Sequence, residues 1–326
     1  MLTVAYTGTD LVVSPLALGS VNFGLSLSEA DAFRQMDRYR EVGNFIDTAH
    51  VYGTVPGAPE TSLSEKVIGR WLRSRGMAGK IIISSKGGHP YLTGPFIPRL
   101  HRNELESDLN ESLSHLGVDA IDLYFLHRDD LSIPAGEILE TLEGFRKKGK
   151  IRHYGLSNWT LPRVKEAEAY AKAHGLEGFT CNQLKWSLAE VNADAVADKT
   201  LVNMDAETYA HHSDTRTAIM AYTSVAKGWF AHRAAGTPVR EKAKAIYDTK
   251  LNDEIYQALL PLADESGLSI TELTLLYFLS HPFPATAIVS FSNDAQMTEG
   301  LTLLTHKPDE ALIQRIHALR RDLIGG

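Results

Sequence analysis

The chain has 326 residues, 44% of them hydrophobic and 22% charged, so it can bury a large core without disulfides or structural metal ions. Its formal net charge is −7, from 33 basic and 40 acidic side chains, which argues against a nucleic-acid partner because phosphate backbones bind basic surfaces. A small anionic ligand is compatible with this charge, since it needs only a local site.

Two short apolar runs at the start of the chain predict a β-hairpin. They span residues 3–6 and 11–13 and flank the turn Thr7-Gly8-Thr9-Asp10. We expect this hairpin to close the lower end of the fold that follows.

Eight β-branched or apolar runs then recur, each followed by a segment with helical periodicity. Most begin roughly 28 to 38 residues apart, about the size of a strand–helix unit. Near-continuous apolar runs are typical of parallel strands covered on both faces. The predicted strands are residues 16–19, 44–49, 81–85, 121–126, 151–156, 179–183, 218–223 and 286–290.

This alternation predicts an α/β fold, a closed (β/α)8 TIM barrel, in a single domain spanning residues 1–326. The competing fold is a doubly wound open sheet. It is disfavoured because no Gly-x-Gly-x-x-Gly motif follows the first strand.

Three sequence signals predict where helices begin. Ser62 and Glu65 have the spacing of a capping box, and Pro162 suits the first turn of a helix that starts after Thr160. Asn293 is a suitable N-cap for the last predicted barrel helix.

Two polar segments, residues 187–214 and 228–253, are predicted to be long irregular loops. They follow the sixth and seventh strands, on the face of a barrel where binding sites lie. Long loops in that position are often functional.

Residues 1–18 contain no basic region followed by a long apolar run, so we expect no signal peptide. No run reaches the ~18 apolar residues of a membrane-spanning helix. The single cysteine, Cys181, excludes an intrachain disulfide and fits a reducing compartment. We expect a cytoplasmic protein, a monomer or small homo-oligomer, with a small-molecule substrate and neither membrane nor nucleic-acid partners.

Reactive side chains follow several of the predicted strands. Asp47 and Tyr52 come at and after the end of the second strand, Lys86 after the third and His127 after the fourth. Taken singly, Asp47 suits a turn and His127 a barrel core. The set of four residues is far less probable by chance than any one of them. The carboxyl ends of all barrel strands meet at one rim, so the four side chains are expected to lie together.

These four residue types suit proton donation to a carbonyl oxygen. An ammonium near a phenol favours the phenolate and lowers the phenol's pKa, and a carboxylate would hold that ammonium in place. A neutral histidine could orient the carbonyl through an N–H. The set predicts a general acid aimed at an oxygen that gains negative charge, as hydride transfer to a carbonyl requires.

The sequence resembles the aldo-keto reductase superfamily. The matching stretches are residues 44–53, 83–88, 121–127, 154–158, 182–183 and 221–222, in the family's order through nearly the whole chain. The resemblance implies Tyr52 as proton donor, Lys86 and Asp47 as the pair that tunes it, and His127 as the residue that orients the carbonyl. It also implies NAD(P)H as cofactor and reduction of an aldehyde or ketone, or the reverse oxidation.

The resemblance also implies a set of cofactor-binding residues. Gly19 and Ser20 would line the nicotinamide end, Ser157, Asn158 and Gln183 would hold the carboxamide, and Tyr222 would stack on the ring. Ser224, Val225, Lys227 and Gly228 match the pyrophosphate loop, and Ser290, Ser292, Asn293, Gln296 and Glu299 match the adenosine-phosphate site.

The family favours NADP(H), but residues 290–296 contain no Lys or Arg and include Asp294. Ser292 and Asn293, with the amides of a helix start, are suitable phosphate ligands. NAD(H) or dual use therefore stays open.

For the substrate, Asn22, His50, Trp159 and Trp186 are the predicted contacts, with Phe23, Pro90, Tyr91 and Trp229 as further candidates for the pocket wall. Polar Asn22 and His50 beside aromatic walls would suit a sugar-like or polyhydroxylated carbonyl compound. Each aromatic residue is equally suited to core packing.

Two alternatives are weighed against the enzyme. One is a cofactor-binding regulatory subunit on the same barrel with little turnover. The other is a metal-dependent hydrolase using His127 and Asp47, which is disfavoured because no strand carries a His-x-His motif, so no metal is expected.

Overall fold

The computed structural model describes residues 2–305 and 309–324. Apolar, β-branched runs form its strands, as the sequence predicts. Within the described residues the strands are β1 Val4–Ala5, β2 Val12–Val13, β3 Leu16–Gly19, β4 Phe45–Asp47, β5 Ile82–Gly87, β6 Ile121–Leu126, β7 Ile151–Ser157, β8 Cys181–Lys185, β9 Ala218–Tyr222 and β10 Ala285–Val289.

Helices alternate with these strands and cover the outside of the sheet. The α-helices in the same residues are α1 Glu29–Tyr39, α2 Leu63–Arg75, α3 Arg102–Leu116, α4 Ala135–Lys147, α5 Leu161–His174, α6 Ala206–Thr215, α7 Trp229–Ala234, α8 Glu241–Tyr247, α9 Lys250–Ser266, α10 Ile270–Leu276, α11 Asp294–Thr302, α12 Glu310–His317 and α13 Arg321–Ile324. Short 3₁₀ turns lie at Ala193–Ala195, Ala226–Gly228 and Ala318–Arg320.

Strands β3 to β10 close into a barrel in which β10 pairs with β3. All neighbouring pairs in the barrel are parallel, and the register places Asp47 of β4 opposite Ser84 of β5. The (β/α)8 TIM barrel predicted from the strand pattern is confirmed. Because the strands are parallel, every carboxyl end lies at the same rim.

The hairpin of β1 and β2 closes the opposite end of the barrel, as expected. The Tyr6 hydroxyl donates to Oγ1 of Thr286 at 2.9 Å inside the barrel. Leu11 and Val13 are buried with it in an apolar plug formed with Ala17, Phe45, Leu123, Phe125, Cys181, Ala218 and Met220. This apolar plug fills the barrel at the hairpin end, away from the rim formed by the strand carboxyl ends.

Two of the predicted helix starts are confirmed. The Asn293 side chain accepts from the Gln296 amide at 2.9 Å, and α5 begins at Leu161 with Pro162 in its first turn. A capping box does occur, at Ser269 and Glu272.

The predicted capping box of Ser62 and Glu65 is wrong. Ser62 adopts a left-handed conformation at φ 55°, and its hydroxyl donates to the His50 carbonyl at 2.6 Å. Glu65 is buried instead and accepts from the Ser85 hydroxyl at 2.5 Å. Tertiary hydrogen bonds to the barrel thus replace the local reciprocal pair.

Residues 187–214 and 228–253 form long connections after the sixth and seventh barrel strands, but the prediction that they are irregular is wrong in part. Asp205 caps α6 through the Thr208 amide at 2.8 Å, and α7, α8 and the start of α9 lie within the second segment. Short helices form there because capping side chains and buried faces such as Ile246 and Tyr247 of α8 stabilise them.

Among the described residues, the structure contains no helix with the length and apolar character needed to span a membrane.

Candidate active site

A cavity of about 380 Å³ opens at the carboxyl ends of the barrel strands. It is the meeting point of side chains from many strands, which is where a parallel barrel collects its functional groups. It is bordered by Gly19, Ser20, Val21, Asp47, Tyr52, His127, Arg128, Ser157, Asn158, Gln183, Leu201, Tyr222, Thr223, Ser224, Val225, Lys227, Ile288 and Ser290.

Asp47 and Lys86 form a buried ion pair on the neighbouring strands β4 and β5. Lys86 Nζ lies 2.7 Å from Asp47 Oδ2 and also donates to the Thr48 carbonyl at 2.7 Å. Asp47 Oδ1 accepts from Ser84 Oγ at 2.8 Å and from Gln183 Nε2 at 3.1 Å. Burial alone would lower the pKa of Lys86, but the Asp47 carboxylate and its other neighbours raise it above its ordinary value, so the ammonium stays charged.

Tyr52 lies directly over this ion pair. Lys86 Nζ is 4.9 Å from the centroid of the Tyr52 ring. The pKa of Tyr52 is nevertheless raised: burial raises it most, the Lys86 ammonium lowers it, and the Asp47 carboxylate raises it again. The expectation that Lys86 lowers the pKa of Tyr52 therefore describes one contribution and not the net result. Tyr52 carries its proton at neutral pH.

His127 lies beside Tyr52 and is electrically neutral at neutral pH. Its ring is 5.7 Å from that of Tyr52 and 4.7 Å from that of His89, both in edge-to-face geometry. Burial, and next the Lys86 ammonium, lower its pKa well below the ordinary value. Within the described residues its Nδ1 is buried and has no hydrogen-bond partner. A neutral imidazole has one N–H to donate, so His127 suits hydrogen bonding to a bound oxygen.

An amide cluster forms the next part of the wall. Asn158, in a left-handed conformation at φ 62°, accepts from the Tyr222 hydroxyl at 2.5 Å and from the Val202 amide at 3.1 Å. Its Nδ2 donates to Ser157 Oγ at 3.0 Å and to the His127 carbonyl at 3.3 Å. The structure thus brings the predicted carboxamide-binding residues together beside the predicted catalytic histidine.

The cavity wall formed by Gly19, Ser224 and Ser290 is closely packed. A Cβ on Gly19 would lie 2.6 Å from Ser290 Oγ and 2.8 Å from Ile288 Cγ2, so only glycine leaves this wall undisturbed. Ser290 Oγ donates to the Gly19 carbonyl at 2.9 Å, and Ser224 Oγ donates to the Ile288 carbonyl at 2.7 Å. Gly228 is absent from the described cavity lining, but its amide closes the adjoining turn on the Val225 carbonyl at 2.8 Å.

Four predicted adenosine-phosphate residues are absent from the described cavity lining: Ser292 and Asn293 precede α11, and Gln296 and Glu299 lie on it. The structure adds a basic residue there that the local sequence lacks. Arg38 of α1 donates to Thr298 Oγ1 at 2.7 Å and to the Asp294 carbonyl at 3.4 Å. Sequence reasoning missed Arg38 because it lies 260 residues before Thr298 in the chain.

The predicted substrate contacts Asn22 and His50 are not among the described residues that border the cavity. His50 Nε2 pairs with Glu111 Oε2 at 2.9 Å, and its ring stacks on His115. The carbonyl of Asn22 accepts the amides of two residues in the tight turn that follows it. Their role at the substrate stays a prediction.

Trp159 and Trp186 are likewise core residues here, and no wall of the described cavity includes them. The indole N–H of Trp186 donates to the Tyr277 hydroxyl at 3.3 Å within an aromatic cluster. The guanidinium of Arg163 lies 5.0 Å from the Trp159 ring centroid. Both indoles pack against protein groups, which is the alternative that the sequence left open.

Arg128 is the main site residue that sequence reasoning missed. It borders the cavity, and it donates from Nε to Thr200 Oγ1 at 2.9 Å and from Nη2 to Asp198 Oδ2 at 3.0 Å. Its position directly after His127 at a strand end was the available signal. The residues it holds lie in a loop whose course no local pattern predicts.

A second, shallower groove of about 560 Å³ adjoins the cavity and shares Asn158 with it. Its outer wall contains exposed apolar side chains, Phe96, Ile97 and Leu131, with exposed fractions of 52%, 58% and 79%. Apolar side chains grouped at the mouth of a site are a common feature of ligand-binding surfaces.

Comparison with known proteins assigns the barrel to a family. The model of the Aldo/keto reductase family matches residues 15–321. The chain belongs to the aldo-keto reductase family. The similar relatives of this aldo-keto reductase include an uncharacterized oxidoreductase, YrpG, of Bacillus subtilis, which is 28% identical over 319 residues, 95% of this chain and 93% of the relative. The norsolorinic acid reductase stcV of Emericella nidulans is 33% identical over 189 residues, 54% of this chain and 47% of the relative.

Among solved structures, a thermostable aldo-keto reductase, Tm1743, has a TM-score of 0.68 at 20% identity and matches 98% of this chain and 100% of its own. At that identity the likeness shows the fold. Family membership identifies this aldo-keto reductase as an oxidoreductase, and the family generally reduces carbonyl compounds with NAD(P)H.

Proposed function

We propose that this aldo-keto reductase reduces an aldehyde or ketone to the alcohol, or catalyses the reverse oxidation, with Tyr52 as the proton donor. The observation that carries the proposal is the position of protonated Tyr52 over the buried Lys86–Asp47 ion pair, with its ring 4.9 Å from Lys86 Nζ. Neutral His127 lies alongside, at the wall of the same cavity.

The four side chains have complementary roles in this proposal. Tyr52 O–H donates its proton to the substrate oxygen as that oxygen gains negative charge. The Lys86 ammonium stabilises the phenolate that remains, and Asp47 keeps the ammonium in place. His127 donates an N–H to the same oxygen and so orients the carbonyl. In the oxidation direction the Tyr52 phenolate accepts the proton.

The cavity residues fit a nicotinamide dinucleotide. The hydroxyl and amides of Ser157, Asn158 and Gln183 suit a carboxamide, and the Tyr222 ring suits an aromatic ring that stacks on it. The close packing at Gly19, where a Cβ would meet Ser290 Oγ, leaves a smooth wall for a planar group. When bound, NAD(P)H supplies the hydride.

We propose NADP(H) as the preferred cofactor. Arg38 of α1 supports it, because its guanidinium contacts the Asp294 carbonyl and Thr298 on α11, the helix that follows Ser292 and Asn293, which are expected at the 2′-phosphate. The carboxylate of Asp294, in the first turn of α11, would repel a phosphate, so NAD(H) or dual use is the alternative. Affinities for NADPH and NADH, measured side by side, decide between them.

For the substrate, we propose a carbonyl compound with an apolar or aromatic portion. A sugar-like substrate depended on Asn22 and His50, which do not border the described cavity. The adjoining groove instead offers Phe96, Ile97 and Leu131.

We also propose a cytoplasmic location and a monomer or small homo-oligomer. Cys181 is buried as a free thiol, which is compatible with a reducing compartment.

The test of the function is the Tyr52→Phe variant assayed against aromatic and sugar aldehydes. We expect kcat for carbonyl reduction to fall by at least ~10²-fold, the range for a positioned general acid, while NADPH affinity is unchanged. The wild type should prefer the aromatic aldehyde in kcat/KM. Near-normal kcat in Tyr52→Phe would refute the proton-donor role. A wild type that binds cofactor without turnover of any carbonyl would favour the regulatory subunit.

A further inference from the structure

His127, the residue proposed to orient the carbonyl, lacks the hydrogen bond that normally fixes a catalytic imidazole. The orientation and tautomer of such a ring are set by the hydrogen bond that its second nitrogen makes. In the part of the chain that the structure describes, His127 Nδ1 is buried and has no hydrogen-bond partner. The ring must therefore be held by the groups that pack against it.

Two aromatic rings pack edge-to-face against His127. The Tyr52 ring lies 5.7 Å away between centroids at an interplanar angle of 76°, and the His89 ring lies closer, at 4.7 Å and 72°. Aromatic rings attract each other in this arrangement at centroid separations of about 4.5–7 Å, so each contact favours one orientation of the His127 ring. Tyr52 already has a role as the proton donor, whereas His89 has none in the mechanism above.

The His89 ring is itself fixed and uncharged. Its Nδ1 donates to the Pro90 carbonyl at 2.7 Å. Burial lowers the pKa of His89 most, the Pro90 carbonyl raises it, and the resulting pKa lies below its ordinary value, so the ring is neutral at neutral pH. Two neutral imidazoles can pack 4.7 Å apart without the repulsion that two imidazolium ions would have.

A buried ion pair holds the backbone of His89. Arg99 and Asp108 of α3 are 8% and 3% exposed, and Arg99 Nη2 lies 2.9 Å from Asp108 Oδ1. Arg99 Nη1 donates to the His89 carbonyl at 3.0 Å, and Asp108 Oδ2 accepts from the Gly88 amide at 2.9 Å. The pair thus fixes two consecutive residues directly after β5. A buried ion pair is favourable only when further hydrogen bonds satisfy both partners, and these backbone groups contribute them.

We propose that His89 is a positioning residue for His127, and that the Arg99–Asp108 ion pair keeps His89 in place. The inference rests on the proposed function, in which His127 donates an N–H to the carbonyl oxygen. Such a hydrogen bond weakens steeply when the N–H turns away from its acceptor, so a freely turning imidazole would lose much of its effect. His89 is absent from the described cavity lining, so it acts through His127 and not on the substrate.

The first experiment measures steady-state reduction of benzaldehyde by the wild type, His89→Ala and His89→Phe. We expect His89→Ala to lower kcat by roughly three- to tenfold, the range of one edge-to-face aromatic contact, without a change in NADPH affinity. His89→Phe keeps an aromatic ring at this position and should restore most of kcat. Arg102→Met, which removes an exposed charge from α3, is the control and should match the wild type.

A double-mutant cycle tests whether Arg99 acts through His89. Arg99→Met should lower kcat in the wild-type background and have no further effect on kcat in the His89→Ala background. It also leaves the buried Asp108 carboxylate without its cation, so the melting temperature should fall in both backgrounds. The two readouts therefore separate positioning from stability. Additive losses of kcat would overturn the role of the ion pair in placing His89.

NMR of His127 separates failure of this inference from failure of the proposed function. Long-range proton–nitrogen spectra of the histidine rings, with the His127 signals assigned from His127→Gln, report its tautomer without any turnover. We expect one tautomer in the wild type and in His89→Phe, and averaged signals in His89→Ala. A wild type that reduces no carbonyl while its His127 signals still depend on His89 would refute the proposed function and support the positioning contact. Unchanged kcat and unchanged His127 signals in His89→Ala would overturn the proposal.

Discussion

Arg128 and Asp198 form an ion pair, 3.0 Å between Nη2 and Oδ2, that spans 70 residues of the chain. Arg128 follows His127 directly and also donates to the His127 carbonyl at 2.8 Å. Because Asp198 lies in the long connection after β8, the pair anchors that segment over the cavity. Leu201 of the same segment borders the cavity.

We expect Arg128→Met to release this segment. The loss of the ion pair and of the Thr200 hydrogen bond should raise KM by about tenfold, with a smaller change in kcat, because the proton donor is untouched. Hydrogen exchange should show faster exchange of the amides near Thr200. Asp198→Asn, which retains an acceptor oxygen, should have a weaker effect. An unchanged KM together with unchanged exchange would contradict the anchoring role.

Removing both charges of the Asp47–Lys86 pair is expected to cost less stability than removing Lys86 alone, but not to restore catalytic activity. Lys86→Met leaves a buried carboxylate without its cation, so the free energy of unfolding should fall by about 3–5 kcal/mol. The double variant Asp47→Asn with Lys86→Met removes both charges and should recover part of that loss. Urea unfolding measures the stabilities, and steady-state kinetics should show that the double variant stays inactive.

A double variant as unstable as Lys86→Met would mean that packing at the Lys86 position, and not the uncompensated charge, sets the loss. Recovery of activity in the double variant would show that Tyr52 does not depend on the Lys86 ammonium.

A buried histidine outside the active site, His212, is expected to lower the free energy of unfolding as the pH falls. Burial lowers the pKa of His212 to about 4. The unfolded state takes up a proton near pH 6.5, but folded His212 does not, so its contribution to stability is full above pH 6.5 and is lost as the pH falls toward 4. His212 should account for about 2 kcal/mol of the fall in unfolding free energy between pH 7.5 and pH 5.0.

Urea unfolding of wild type and His212→Gln at both pH values checks this. The substitution also removes the contact between Asn182 Nδ2 and His212 Nε2. The stability of the variant at pH 5.0 is therefore compared with its own stability at pH 7.5. Its further loss at pH 5.0 should be smaller than that of the wild type. Equal losses in both proteins would assign the acid sensitivity to other groups.

Arg38 should distinguish the two cofactors. If its guanidinium serves the 2′-phosphate, Arg38→Met weakens NADPH binding by roughly tenfold and leaves NADH binding unchanged, because only NADPH carries that phosphate. Fluorescence titration with both dinucleotides measures this. Arg34→Met, on the same helix with a 63% exposed side chain, is the matched control. Equal weakening of NADPH and NADH by Arg38→Met would assign Arg38 to the packing of α1 on α11.

The sequence by itself determined the barrel and the composition of its rim. Once the strand runs are recognised, the parallel closed topology places every strand's carboxyl end on the same side. Asp47, Lys86 and His127 needed only their positions at strand ends to be brought together. This is why Asp47, Tyr52 and His127 border one cavity together with the predicted nicotinamide-end residues, while Lys86 is paired with Asp47.

Only the tertiary structure decided which polar and aromatic side chains face that cavity. His50 contacts Glu111 and Trp186 contacts Tyr277, and those contacts depend on how distant helices pack. Local patterns report the periodicity of a segment, whereas burial, charge balance and pKa depend on neighbours that are remote in sequence.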